Sequence, residues 1–163
     1  MVSVKNSGQQ ASLSDPEGYA EPLQDYVLYA EDNSNDATFF LRAFRREAPD
    51  VPIRYFSDGA SVRDYLEQIL NRKQPPPRLA IFDIKMPGLT GLELLAYVRG
   101  EQPIAHLPVV ILSASYEERD VAEAHHHNVN SYLVKPNRYT ELKKLVNSLT
   151  TFWLRFNTTS FEG

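Results

Sequence analysis

An α/β fold follows from the amino-acid sequence: a doubly wound, five-stranded parallel sheet with helices on both faces. Three features lead there. Five short apolar runs, at residues 26–30, 53–56, 79–82, 109–112 and 131–134, are bounded by turn residues and have the length of strands. Between them, apolar residues recur at helical spacing, so strand and helix alternate five times, the pattern of a parallel sheet with right-handed crossovers. The runs at 79–82 and 109–112 are apolar without alternation, as strands covered on both faces are.

Composition sets the frame. The chain has 163 residues, 42% of them hydrophobic, enough for one domain with a sizeable core. A formal net charge of −4 argues against a nucleic-acid surface, which needs a basic face. There is no cysteine, hence no disulfide framework and no thiolate metal site. No apolar run approaches the ~18 residues of a membrane span, and the amino terminus lacks the charged-then-apolar pattern of a signal peptide. The expectation is a cytoplasmic protein without a nucleic-acid or membrane partner. Residues 1–24, rich in Ser, Gly, Gln and Glu, read as a flexible leader in which Tyr19, Pro22 and Leu23 could pack locally. The folded domain is expected at 25–156, with a tail at 157–163 and no attached output domain.

Strand one ends in two adjacent acids, Glu31 and Asp32. Asn33 or Ser34 can cap the helix that follows. In it Phe40, Ala43 and Phe44 share one face, and Phe39 falls about 100° off that face. Strand two alternates as an edge strand does, and Ser57-Asp58-Gly59 is turn chemistry. Val62, Tyr65, Leu66, Ile69 and Leu70 form the stripe of helix two. The prolines at 75–77 stiffen the loop into strand three. That strand ends in Asp83, followed by a Met86-Pro87-Gly88 turn and by Gly91, which opens a helix bearing Leu92, Leu95, Ala96 and Val98. Strand four ends in Ser113-Ala114-Ser115. A polar fourth helix, Glu117 to His127, is stopped by Asn128, a residue that tolerates the left-handed conformation of a helix end. Strand five ends in Lys135-Pro136. The last helix carries Leu142, Leu145, Val146, Leu149, Phe152, Trp153 and Phe156 as one sustained stripe.

In an open α/β sheet, ligands bind at the carboxyl ends of the strands. There this chain offers Glu31 and Asp32, Asp83, Ser113 and Lys135. Three crowded carboxylates repel one another unless a cation neutralises them. Hard oxygen ligands suit Mg²⁺, which keeps several waters and favours phosphate oxygens. A divalent cation, an ammonium and a hydroxyl around one carboxylate make a receptacle for a phosphoryl group. Asp83 is the member able to act as the nucleophile, as carboxylates do in aspartyl-phosphate chemistry. The bland alternative, in which each acid caps a helix or faces water, fits any one of these residues better than it fits all five.

In this order and spacing, Glu31-Asp32, Asp83 before Met86-Pro87-Gly88, Gly91, Ser113-Ala114 and Lys135-Pro136 resemble the receiver domain of two-component response regulators, of the CheY type, over residues 25–153. The resemblance implies a flavodoxin-like fold with strand order 2-1-3-4-5 and five helices. It implies that Asp83 accepts a phosphoryl group from a sensor histidine kinase. Asp32, Asp83 and the backbone carbonyl of Lys85 would coordinate Mg²⁺, with Glu31 acting through water. Lys135 would pair with the carboxylate and then with the phosphate. Ser113 would be the switch hydroxyl and Tyr132 the rotating aromatic. The Lys135–Pro136 bond would be cis, and helix four, strand five and helix five would carry the output. Such a protein is a phosphoacceptor, not an enzyme beyond its own Mg-dependent phosphotransfer and autodephosphorylation. The Glu-Asp-Asn start, the proline-bearing loop and the Phe152-Trp153 ending are similar to stand-alone regulators that serve bacterial phytochromes.

Three departures stand out. Lys85 lies two residues after the acceptor, where the family often has Asn or Met. Asn128 replaces a usual Gly. His125-His126-His127 matches no family motif and reads as helix surface, since neighbouring helix positions point apart and chelate one ion poorly. The stripe on the last helix is wider than one buried face needs, which points to a homodimer through Leu145, Phe152 and Trp153, with Phe39 either edge packing or a further docking contact.

Phosphorylation adds roughly −1.5 to −2 charge at one point. Inverting a 1:99 population takes ~5.5 kcal/mol, and two charge-assisted hydrogen bonds at roughly 1.5–3 kcal/mol each are of that order. The protein would then transmit a signal or serve as a phosphate sink. The competing readings are a phosphorylation-independent binding module of the same fold, an Asp-nucleophile phosphatase and a flavodoxin-like cofactor protein. The phosphatase needs an acid where Lys85 stands, and the cofactor protein needs a glycine loop after strand one that this chain lacks.

Overall fold

The computed structural model describes residues 25–158. The elements run β1 (Val27–Ala30), α1 (Ser34–Glu47), β2 (Ile53–Phe56), α2 (Gly59–Leu70), β3 (Leu79–Phe82), α3 (Gly91–Gly100), β4 (Val109–Ser113), α4 (Glu118–His126), β5 (Ser131–Val134) and α5 (Tyr139–Thr150). A 3₁₀ turn, Gln102–Ile104, precedes β4, and a π-helical segment, Thr151–Phe156, extends α5. All strand pairs are parallel, in the order β2-β1-β3-β4-β5. The leader, with Tyr19, Pro22 and Leu23, and residues 159–163 of the tail lie outside the described residues. Among the described residues no helix is long and apolar enough to cross a membrane.

Alternate residues of each strand face opposite sides of the sheet, as the period of two requires. Val27, Tyr29, Leu79, Ile81, Val110 and Leu112 pack under α1 and α5 with Phe40, Phe44, Val146 and Leu149. Leu28, Ala30, Ala80, Phe82, Val109 and Ile111 pack under α2, α3 and α4 with Val62, Leu66, Leu95, Val98 and Ala124. Leu94 belongs to this second layer as well, a helix position the apolar pattern did not single out. β2 is the alternating edge strand expected, with Arg54 and Phe56 buried and Ile53 and Tyr55 half-buried.

The cap expected for α1 is present, and the structure adds caps on α2 and α3. Asn33 caps α1 by accepting from the backbone N–H groups of Asn35 and Asp36, and Asp58 caps α2 through Ser61 N. Thr90 and Glu93 form a reciprocal capping box on α3. Asn128 adopts φ 55°, the left-handed conformation expected where α4 stops. Arg99 ties α3 to the neighbouring loops. It donates to the carbonyls of Ala105, Leu107 and Asn128 and to Asn130 Oδ1, which also accepts from Val109 N at the start of β4.

Two expectations are corrected. The last helix does not continue its stripe to Phe156. From Thr151 the helix widens to i→i+5 geometry, with Asn157 N donating to Phe152 O at 2.7 Å. The wider turn brings Leu154, five residues after Leu149, onto the core and leaves Phe152 and Phe156 exposed. Thr150, immediately before the change, turns its hydroxyl onto the carbonyls of Val146 and Asn147, a back-bonding that bends helices. The Lys135–Pro136 bond is trans, as no cis peptide occurs among the described residues.

Candidate functional site

The parallel register sets Ala30 beside both Phe56 and Phe82, so β1, β2 and β3 end level. The ladder then runs one residue past the strands. Glu31 N donates to Phe56 O, Asp83 N to Ala30 O and Lys135 N to Ser113 O, at 3.0, 3.0 and 2.8 Å. These bonds fix the backbone of three charged residues on the carboxyl edge. Tyr55, from β2, donates its hydroxyl to the Glu31 carbonyl at 2.7 Å.

The turn after Asp83 is shaped by two glycines. Gly88 adopts φ +76°, where an L side chain is strained. Gly91 lies so close to Asp83 that a Cβ there would sit 2.0 Å from the Asp83 carbonyl oxygen, and its N–H donates to Ile84 O. The start of α3 is thereby pressed against the Asp83 turn.

The side chains converge. Glu31, Asp32, Asp83, Lys85, Ser113 and Lys135 all line one depression, together with the α1 amino end and the loop after β4. Glu31, Asp32 and Asp83 each offer a carboxylate oxygen within 4.8 Å of the others. Glu31 is fully buried and Asp83 buried, whereas Asp32 is exposed. Asp83 Oδ1 accepts from Ile84 N at 2.7 Å, and Oδ2 from Lys135 Nζ at 2.9 Å. Lys135 Nζ also donates to Glu31 Oε2 at 2.5 Å and to Asp36 Oδ2 at 3.0 Å. Asp36, in the first turn of α1 and four residues after Asp32, joins the cluster although it ends no strand.

Burial pushes the Glu31 carboxyl up to about 7, aided by the Asp83 charge and opposed by Lys135 and by the Asn33 N–H. Burial alone would lower the Lys135 ammonium. Its hydrogen bonds and charge contacts with Glu31 and Asp83 outweigh that and raise it, so it is charged throughout the neutral range. Three hard oxygen donors around a partly solvated depression fit a magnesium-sized cation better than a soft metal.

Ser113 is buried, and its Oγ accepts from Ser115 N at 3.3 Å. Tyr132 does not line the depression. Its hydroxyl donates to the Ser115 carbonyl at 2.7 Å, on the loop that joins β4 to α4. Lys85 is exposed on the rim. The four residues expected at a partner surface are not one patch. Phe39, 48% exposed, leans on Tyr139 at the start of α5, while Phe152, 54% exposed, lies on the π segment beside Trp153. Leu145 and Trp153 are partly buried against the α1–α5 layer.

Known proteins share this fold. Residues 27–147 match the response regulator receiver domain. The probable methanogenesis regulatory protein FilR2 of Methanothrix harundinacea is 32% identical over 131 residues, 80% of this chain and 84% of that protein. Response regulator Rcp1 of Synechocystis is 29% identical over 129 residues, 78% of this chain and 88% of its own. The crystal structure of the Mn²⁺-bound form of Rcp1 superposes with a TM-score of 0.76 at 28% identity, covering 84% of this chain and 99% of that one. The phosphorylated cyanobacterial phytochrome response regulator RcpA superposes with a TM-score of 0.75 at 27% identity, covering 83% and 98%. The match runs from the first strand into the last helix, and the strand ends it spans are those that gather the acids and the lysine: the chain belongs to the response regulator receiver family of two-component signalling.

Proposed function

We propose that this protein accepts a phosphoryl group on Asp83 from a sensor histidine kinase and changes the surface it presents to other proteins. The observation that carries the reading is the Asp83 carboxylate held between the Lys135 ammonium on one side and the Glu31-Asp32 pair on the other, at an open sheet edge. In the transfer, the P–N bond of a phosphohistidine breaks with its electron pair returning to nitrogen, and a P–O bond to an Asp83 oxygen forms. Lys135 stabilises the negative charge gathered on the phosphoryl oxygens. Glu31, Asp32 and Asp83, with the Lys85 carbonyl as a further oxygen, would hold the metal. A bound Mg²⁺ supplies neutralisation of the acids and of the arriving phosphate.

Ser113 is the hydroxyl placed to turn onto the new phosphate. Doing so withdraws the acceptor of Ser115 N, and Ser115 is the residue whose carbonyl Tyr132 holds. This supports α4, β5 and α5 as the face that responds. The relatives that include a phytochrome response regulator support a phytochrome-class kinase as donor. The exposed Phe152 and Phe156 support self-association through the carboxyl-terminal helix, so the active species would be a homodimer. The match to the receiver family supports a cytoplasmic location.

The test is incubation with Mg²⁺ and acetyl phosphate, read by intact mass. Wild type gains one phosphoryl group; Asp83→Asn gains none, and chelation of the metal abolishes the gain. A panel of histidine kinases then identifies the donor. Wild type that stays unmodified by both routes would make this a phosphorylation-independent binding module instead.

A further inference from the structure

Lys135 spends all three of its N–H donors on carboxylates, and one of the three takes no part in the metal-holding set. Asp36 lies 3.0 Å from Nζ, while Glu31 and Asp83 hold the same nitrogen at 2.5 and 2.9 Å. An ammonium has no fourth proton to give. A phosphoryl oxygen on Asp83 therefore meets Lys135 only if one existing contact opens. The three differ in what opening costs. The Glu31 side chain is fully buried, and a buried carboxylate left without its partner is expensive; Asp83, nearly as buried, is no longer a carboxylate once loaded, yet its remaining carbonyl oxygen would be left a buried acceptor without a donor. The Asp36 side chain is 45% exposed, so water can take the ammonium's place. Asp36 also lies outside the group formed by Glu31, Asp32 and Asp83. Its negative charge nonetheless stands beside the acceptor's own lysine, where it repels an anionic phosphoryl donor.

We propose that Asp36 is a positioning residue that acts through Lys135: it occupies the third N–H of the ammonium in the resting protein and is the partner exchanged for a phosphoryl oxygen when Asp83 is loaded. The inference rests on Asp83 being the acceptor. Asp36 slows loading, because its contact must open and its charge opposes the donor. Once released, its carboxylate borders the groove formed by Phe39, Pro136 and Tyr139, so loading changes the charge presented between α1 and α5.

The experiment compares wild type, Asp36→Asn and Asp36→Glu as full chains with acetyl phosphate and Mg²⁺. One P–O bond to acetate breaks, with acetate leaving on the electron pair, as another to Asp83 forms. Asp36→Asn should load roughly 3- to 10-fold faster at low ionic strength, and the advantage should shrink as salt screens the charge. Asp36→Glu should return to the wild-type rate. Mg²⁺ affinity, measured by calorimetry, should differ by less than about threefold, because Asp36 touches the lysine and not the metal-holding oxygens. Equal loading of wild type and Asp36→Asn at low salt overturns the inference. So does an Asp36→Glu variant that behaves like Asp36→Asn, which would assign the effect to shape and not to charge. If wild type itself takes no phosphoryl group, the acceptor reading fails and this one with it. If wild type loads and the Asn variant merely equals it, only the role of Asp36 fails.

Discussion

Glu31 is the most heavily perturbed acid of the site, and its perturbation has a sign that can be measured. Folding raises this carboxyl from 4.5 to about 7, chiefly by burial. The folded state therefore binds this proton more tightly than the unfolded chain does. The stabilisation it contributes is fully present below the unfolded pKa and is lost as pH rises through about 7. A cation bound by the ionised acids competes with that proton, so the increase in Tm caused by Mg²⁺ should be larger at pH 7.5 than at pH 5.5. Replacing Glu31 by Gln should flatten the difference. Calorimetric melts with chelator and with Mg²⁺ at both pH values check this, and equal Mg²⁺ shifts would show that Glu31 is not the proton in competition. The acids at 31, 32 and 83 and the lysine at 135 were legible in the sequence because each ends an apolar run. Asp36 was not, since an acid in the first turn of a helix is also ordinary dipole and cap chemistry. Only the fold brings a lysine 99 residues away to meet it.

The strands and four of the five α-helices were announced by their apolar residues; the polar α4, which buries Ala124 alone, was announced by its stop at Asn128. The end of α5 was not announced. Leu149, Phe152, Trp153 and Phe156 fit a 3.6-residue period in the sequence, and nothing in that spacing marks the change at Thr151. The π turn rotates the stripe, so Leu154 is buried and the two phenylalanines face outward. An exposed Phe152 packed edge-on against Trp153 is a ready anchor for a second copy. Phe152→Ala is the informative variant, since Trp153 also serves the protein's own core. Wild type should behave as a dimer in size-exclusion light scattering and Phe152→Ala as a monomer, with Tm shifted by only a few degrees. A wild-type monomer, or a variant that stays dimeric, would remove this segment from the interface.

The apolar runs foretold a parallel sheet, but its strand order came only with the family resemblance, because parallel pairing leaves no local mark on the sequence. Order matters here: β4 lies between β3 and β5, so Ser113 stands between the strand that ends in Asp83 and the strand that carries Tyr132. The chain of contacts is short. Ser113 Oγ accepts from Ser115 N, and Ser115 O accepts from the Tyr132 hydroxyl. Under the proposed function, a hydroxyl drawn to a phosphate would free the Ser115 amide, and the peptide could then shift with Tyr132 still attached. Tyr132→Phe keeps the ring and removes the tether. The half-buried Ser115 carbonyl would turn to water at a net cost of about 0.5–1.5 kcal/mol, which is roughly a 2- to 12-fold increase in the open population of the loop. Phosphoryl uptake by Asp83 should change by less than about twofold, because Tyr132 lies outside the depression and touches neither the lysine nor the acids. Hydrogen exchange at residues 115–118 should speed up by that same factor in the unphosphorylated variant, and phosphorylation should alter it less than in wild type. Unchanged protection of the loop in Tyr132→Phe would mean that the hydroxyl is a bystander and that the signal leaves the sheet edge by another route.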